Sequence, residues 1–309
     1  MSVFGYIFWH NVLPLAVVIA AGAVMQRLFA LDIRTLSKMN FYLLSPAVIF
    51  RLLYETDISA SLFGQVMLFL LVFQSLQFVL AETVVRLRGH RGGKKVALRN
   101  SVLFYNSANY GIPLNQLVFR NDPYTLSVQI LVMMTQSLLP NTYGIYSINA
   151  EKSGWRQTLK VIATMPVIYA IPLAIGLRAG GVALPSFLQT AVDYVANAFF
   201  GLALFTLGTQ LGNMPWRLSK RDAIDVSLAT ALRLVAGPAL AWLVTWALGI
   251  DGLLAAALIV SSAVPTSLSS VLLAVEFDNE PEFASQVVLA STILSMATVT
   301  LVIQFLAIA

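Results

Sequence analysis

Two short polar runs interrupt long apolar stretches of this chain, and each carries a proline. The first is Asn106-Ser107-Ala108-Asn109-Tyr110-Gly111-Ile112-Pro113, and the second is Ser261-Ser262-Ala263-Val264-Pro265-Thr266-Ser267-Leu268-Ser269-Ser270. Pro113 lacks a donor and clashes with the preceding turn, and Gly111 relaxes the backbone. The amides of Asn106 and Asn109 both donate and accept, as do the hydroxyls of Thr266 and Ser267. Each run therefore predicts a helix broken at membrane depth, where irregular backbone is tolerated only if it is buried in protein or lines a water-filled cavity. Half-helices starting near Leu114 and Thr266 would turn unsatisfied N–H groups and a partial positive charge towards an anion. Asn106, Asn109, Gly111, Pro113, Pro265, Thr266 and Ser267 form the candidate substrate-binding set, with Ser262 and Ser269 as weaker members. The competing reading is that these side chains only satisfy backbone groups freed by the prolines.

The titratable groups inside apolar stretches are few. Arg233 is the sharpest single charge, because an arginine at bilayer depth is costly and usually functional. Asp225, Ser227 and Thr230 precede it, so the favoured reading places Arg233 near the interface, paired or snorkelling, as a structural charge. Glu82 and Asp193 are the candidates for a proton-coupling carboxylate. Arg86, one helical turn from Glu82, makes an interfacial ion pair the plainer reading, and Asp193 near a helix end is solvated on the plainer reading. Gln129, Gln136, Asn141 and Ser267 offer oxygens for a sodium ion, so proton coupling, sodium coupling and uniport all stay open. The chain has no Cys, its two histidines (His10 and His90) have no metal spacing, and no Gly-rich phosphate loop is present. These absences predict no resident cofactor and no enzyme activity.

The elements that must position these residues follow from composition. The chain has 309 residues, 58% of them hydrophobic and 11% charged, with mean hydropathy +0.80. That composition predicts an integral, multi-pass membrane protein, since soluble domains carry roughly 25% charged residues. At about 20 apolar residues per span, ten helices fit: Phe4 to Arg27, Leu36 to Leu53, Ala60 to Val85, Val96 to Phe119, Tyr124 to Ile148, Val161 to Leu177, Leu188 to Leu211, Ala223 to Leu248, Leu253 to Val275 and Phe283 to Leu306. The first apolar run follows no basic segment, which predicts a first span rather than a cleaved signal peptide. Trp9, Trp155, Trp216 and Trp246 fall near predicted helix ends and read as interface anchors.

Basic residues collect in alternate loops. Arg27, Arg34 and Lys38 flank the first; Arg86, Arg88, Arg91, Lys94, Lys95 and Arg99 surround the third; Lys152, Arg156 and Lys160 mark the fifth; Arg217, Lys220 and Arg221 mark the seventh. The positive-inside rule then places both termini outside, most simply in a bacterial inner membrane. The acidic loop with Glu276, Asp278, Glu280 and Glu282 must be cytoplasmic on the same count, without basic residues of its own. The formal net charge of +5 is read as topology and not as a nucleic-acid surface. Residues 1–150 and 157–309 thus form two five-helix halves of opposite orientation. Pro113 and Pro265 lie 152 residues apart, in helices 4 and 9, the corresponding members of the two halves.

Asn106 to Leu114, with Asn seven positions before the proline and then Gly-Ile-Pro-Leu, resembles the corresponding segment of the auxin efflux carrier family. Leu44-Ser45-Pro46-Ala47-Val48-Ile49-Phe50 is similar to that family's helix 2, Leu204 to Leu211 to its helix 7, Arg233 to Pro238 to its helix 8, and Ala263 to Phe277 to its helix 9. The resemblance implies an all-α fold of ten transmembrane helices as a 5+5 inverted repeat, shared with bile acid sodium symporters, with helices 4 and 9 broken and crossing. It also implies a secondary active or facilitative carrier of small organic carboxylates, such as malate, malonate or auxin-like anions. Asn106 would contact the carboxylate, and Pro113 and Pro265 would mark the crossing. Helix 9 departs from the pattern in having Ser and Thr, and no amide, around Pro265. Sodium-coupled uptake of larger amphipathic anions and a transport-dead sensor are the alternatives, and a homodimer is an open assembly state.

Overall fold

The computed structural model describes residues 5–6, 8–55, 59–148, 163, 166–213 and 222–307. The predicted midpoint loop with Lys152, Trp155, Arg156 and Lys160 lies outside the described residues. So does the segment with Trp216, Arg217, Lys220 and Arg221.

Among the described residues, regular structure is helical apart from one antiparallel bridge. A wide π turn at Phe8–Val12 leads into α1, Leu13–Phe29; α2 comprises Ile33–Met39, a π turn Asn40–Leu44, and Ser45–Glu55; α3 is Ala60–Leu87. The fourth helix is split into α4a, Gly92–Leu103, and α4b, Gly111–Val118. Then come α5 (Pro123–Leu139, continued by a π turn and Ile145–Ile148), α6 (Pro166–Ala179), α7 (Ser186–Asn213) and α8 (Ala223–Ala247). The ninth is split into α9a, Gly252–Ser262, and α9b, Ser269–Glu276, and α10 is Pro281–Phe305. By length and composition α3, α7, α8 and α10 can cross a membrane, while α1, the 168–179 part of α6 and α9a are shorter apolar helices.

Local chemistry explains most boundaries. Asp122 accepts from the Thr125 amide at 2.9 Å, just ahead of Pro123 at the first position of α5, and Ser59 caps α3 in the same way, each satisfying an otherwise orphaned N–H. Three π turns precede a proline by two residues: Val12 and Pro14, Leu44 and Pro46, Ala236 and Pro238. A proline ring clashes with the carbonyl four residues back, here that of His10, Tyr42 or Leu234, the middle of each turn. Widening the turn relieves the clash and reorients the side chains within it.

The helices pack as two groups. In one, α1 lies along α7 and α2 lies along both α6 and α7. The α1–α7 contact is close: a Cβ on Gly22 would strike the Phe205 carbonyl, one on Gly208 the Ile19 carbonyl, and one on Gly212 would lie 2.7 Å from the Ala23 carbonyl oxygen. Small residues that let backbones approach are the usual basis of helix association in lipid. The other group joins α3, α4a, α5, α8, α9a and α10. One end of the molecule gathers the basic α3–α4a loop, where Lys94 meets Asp222 at 2.7 Å and Asn279 donates to the Gly93 carbonyl at 3.3 Å. The acidic loop before α10 therefore sits beside the basic loop, at the same end. At the other end Tyr54 bonds the 182–184 loop.

Candidate functional site

The two interruptions meet. Tyr105 and Thr266 form an antiparallel bridge, flanked by Asn106 N–H donating to the Pro265 carbonyl at 2.8 Å and Ser267 N–H donating to the Phe104 carbonyl at 2.8 Å. Unpaired backbone groups at membrane depth are costly, and each break supplies the other with partners. Side chains complete the junction. The Thr266 hydroxyl donates to the Ser101 carbonyl at 2.8 Å, and the Thr266 N–H donates to Ser291 Oγ on α10 at 3.1 Å. From α5, Gln136 accepts from the Tyr105 N–H at 3.2 Å and Gln129 donates to the Ser107 carbonyl at 2.7 Å. The two glutamines are seven residues apart, so one face of α5 holds the first break. Both are among the candidate sodium oxygens, and in the structure both amides bond backbone of the break.

The nominated substrate residues divide by task. Asn106 is 5% exposed. Its Oδ1 accepts from the Asn109 N–H at 3.1 Å, and no hydrogen bond from its Nδ2 to another described residue is present. Asn109 and Ser267 are half-buried, and Ser267 Oγ accepts from the Ser269 N–H at 3.2 Å, capping α9b. Thr266 is fully buried and occupied by the junction. Gly111 is packed against Gln129, whose Nε2 would lie 2.5 Å from an added Cβ.

The half-helix starts differ from the expected positions. Helix α4b begins at Gly111 rather than near Leu114, and α9b at Ser269 rather than near Thr266. Pro113 is therefore not the breaking residue. It occupies the third position of α4b, in the first turn, where a missing N–H would have had no intrahelical partner anyway. Pro265 does lie inside its break and supplies a bonded carbonyl.

Arg233 is not at an interface. It is wholly buried, donating from Nη1 to Gln77 Oε1 at 3.3 Å and to the Val102 carbonyl at 3.1 Å, and from Nη2 to the Ser262 carbonyl. Its guanidinium carbon lies 4.6 Å from the Tyr105 ring centroid, within cation–π range. The two carbonyls belong to the C-terminal turns of α4a and α9a, whose last carbonyls have no partner within their own helices. The polar residues before Arg233 suggested a helix end outside the membrane. Asp225 instead pairs with Arg88 at 2.9 Å and lies 3.0 Å from His90, and two further helical turns carry Arg233 into the core. Gly237 is the signal that was available: a Cβ there would lie 2.7 Å from Arg233 Nη2.

The candidate coupling carboxylates lie apart from the junction. Glu82 sits among three cations, with Lys95 at 2.8 Å, Arg86 at 3.1 Å and Arg99 at 3.4 Å, which is the interfacial reading extended into a network. Asp193 is 3.7 Å from Arg51, which also donates to Asn197 at 2.8 Å, so it is paired rather than simply solvated. The side chain of Asn141 lies outside the described residues.

A cavity of about 340 Å³ borders α4b, and of the nominated substrate residues Pro113 alone lines it. Its walls are Pro14, Leu15 and Val18 of α1, Pro113, Gln116 and Leu117 of α4b, Gly201 and Leu204 of α7, and Asn121. It is mostly apolar with two amides, and it lies where the two helix groups face each other. A second hollow of about 340 Å³ between α8, α9a and α10 is lined by apolar residues and Thr298.

Comparison with known sequences points to membrane transport. Residues 155–303 match the profile of a family described as Membrane transport protein. The chain is 24% identical over 297 residues to an uncharacterized transporter of Methanothermobacter thermautotrophicus, covering 94% of this chain and 96% of that one. It is 22% identical over 142 residues to auxin efflux carrier component 1 of Arabidopsis thaliana, and 24% identical over 142 residues to probable auxin efflux carrier component 1b of Oryza sativa subsp. japonica. Each of those matches covers 46% of this chain and only 23% and 26%, respectively, of the plant carriers. The chain thus spans about a quarter of the plant relatives' length.

Proposed function

We propose that this chain is a membrane transporter of the auxin efflux carrier family and that it carries small organic carboxylates, of the malate, malonate or auxin-like class, by alternating access. The observation that carries the reading is the paired interruption. The starts of α4b and α9b lie beside the junction, next to an amide donor on Asn106 that bonds no described residue. Helix N-termini bind anions without a lysine, and the cavity that Pro113 lines on α4b offers an apolar wall to the substrate's carbon skeleton.

The proposed motion follows the packing. The group α1, α2, α6 and α7 serves as the support, and the group holding both broken helices moves against it, so that the cavity faces one side of the membrane and then the other. In this reading the ten helices are two inverted halves of five, with Asn106, Asn109, Gly111, Pro113, Pro265, Thr266 and Ser267 around the anion. Asn106 and Asn109 touch it, while Thr266, Pro265, Gln129 and Gln136 hold the backbone that presents them. Glu82 and Asp193, each paired with cations away from the junction, take no part in coupling.

A thermal-shift screen of dicarboxylates and aromatic carboxylates on the purified protein tests the reading. A ligand that binds only the folded state raises its apparent stability. The expected result is stabilisation by at least one carboxylate and not by its amide analogue, followed by saturable counterflow of that compound in proteoliposomes. Stabilisation without counterflow would favour a binding protein that does not transport.

A further inference from the structure

Arg233 is a fully buried cation, and among the described residues no carboxylate is paired with it. Bare charges of this kind are expensive, so the surroundings must compensate it. They do so with oxygen atoms and dipoles. The Val102 and Ser262 carbonyls come from the C-terminal turns of α4a and α9a, and Gln77 adds an amide oxygen. A helix C-terminus carries roughly half a negative charge, so two converging ones offset about one positive charge. The Tyr105 ring covers the guanidinium at 4.6 Å.

Space for the side chain is provided by the backbone around it. The π turn Leu232–Ala236 holds Arg233, and Gly237 is a glycine with helical dihedrals whose Cβ would collide with the guanidinium. This is an oxygen-lined pocket for a cation, filled by a tethered one.

We propose that the Arg233 guanidinium is a built-in cation at the junction of the broken helices, permanently holding a position that a free monovalent metal ion would otherwise fill. The junction is thereby complete without sodium, whatever solute the protein carries. Removing the charge while leaving the oxygens unmasks the position. In Arg233→Gln the Val102 and Ser262 carbonyls, the Gln77 amide oxygen and the new amide oxygen remain, a hard-oxygen set suited to a small cation.

The experiment measures thermal unfolding of the purified full-length protein in sodium, lithium, potassium and choline chloride at equal ionic strength, for wild type, Arg233→Gln and Arg233→Lys. It needs no substrate, so its outcome is separate from that of the transport reading. Expected is a wild-type midpoint independent of the cation. Arg233→Gln should have a depressed midpoint that rises by about 3 °C or more in sodium or lithium over choline. Arg233→Lys, which retains a tethered charge, should lie above Arg233→Gln in choline and show no cation dependence. An Arg233→Gln midpoint equal in all four salts overturns the proposal, as does failure to recover that variant in any of them. A wild type selectively stabilised by sodium, or an Arg233→Lys no better than Arg233→Gln in choline, overturns it too.

Discussion

Asn106 has one structural contact and one proposed role, and a single substitution can separate them. Its Oδ1 caps the Asn109 N–H at 3.1 Å, and its Nδ2 is the donor proposed to meet the substrate carboxylate. Asn106→Ala removes both, and loss of such a cap costs about 1 kcal/mol, or about 3 °C in a protein of this size. Asn106→Asp retains the acceptor, so the cap and the fold should survive. It replaces the donor with a carboxylate facing a carboxylate. Two like charges about 4 Å apart in a site of effective dielectric about 20 repel by about 4 kcal/mol, close to three decades of affinity. The assay pairs thermal unfolding with proteoliposome uptake of a radiolabelled carboxylate at pH 8, above the ordinary aspartate range. Expected is a midpoint for Asn106→Asp above that of Asn106→Ala, with uptake lost in both. Uptake by Asn106→Asp within tenfold of wild type would refute the role of Nδ2. Unfolding of the Asp variant below the Ala variant would refute the role of Oδ1.

Other substitutions probe the supports. Thr266→Val keeps the shape of a buried side chain but leaves the Ser101 carbonyl without its 2.8 Å donor, so it should destabilise by about 1–2 kcal/mol; Thr266→Ser, which keeps the hydroxyl, should be the milder variant in thermal unfolding. Gly208→Leu forces side-chain atoms into the Ile19 carbonyl and should separate α1 from α7, with a loss above about 3 kcal/mol read as failure to purify as a single species. Glu82→Gln leaves three cations without their common acid. Because Arg86 and Lys95 are partly exposed, the expected loss is only about 1–2 kcal/mol. Its uptake should follow the wild-type pH profile, and a flattened profile would restore Glu82 as a proton carrier.

Helix positions were largely legible because an apolar segment must reach across a hydrocarbon layer, and that demand is written in length and composition. The predicted Ala60 to Val85 and Leu188 to Leu211 differ from α3 and α7 by two residues at most at any end. The existence of two breaks was legible from Asn, Ser, Gly and Pro at membrane depth. What each residue does inside a break was not. Pro113 looked like the breaking residue, yet the helix resumes two residues before it, because a proline in a first turn costs no hydrogen bond. Arg233 reads as interfacial when the polarity of Asp225, Ser227 and Thr230 is counted without their partners. Arg88 and Lys94 neutralise Asp225 and Asp222 from another helix pair, and that compensation is a tertiary fact with no local signature. Gln129 and Gln136 illustrate the same limit: an amide facing inward is visible as such, but whether it meets an ion or a carbonyl depends on what crosses in front of it.

The proposed anion site needs no lysine. Breaking one helix creates a negative C-terminus and a positive N-terminus within a few residues, and these nearly cancel at a distance. Crossing two broken helices places like ends near each other, but leaves both signs present. The arginine resolves the asymmetry. By bonding the Val102 and Ser262 carbonyls it neutralises the C-terminal ends, while the starts of α4b and α9b keep their polarity. The capping of α9b by Ser267, a neutral hydroxyl, preserves that polarity where an aspartate cap would erase it. Ser267→Asp should therefore leave α9b intact or slightly more stable, yet abolish carboxylate stabilisation in the thermal-shift assay. Retained carboxylate stabilisation in that variant would mean that the anion does not sit at the start of α9b.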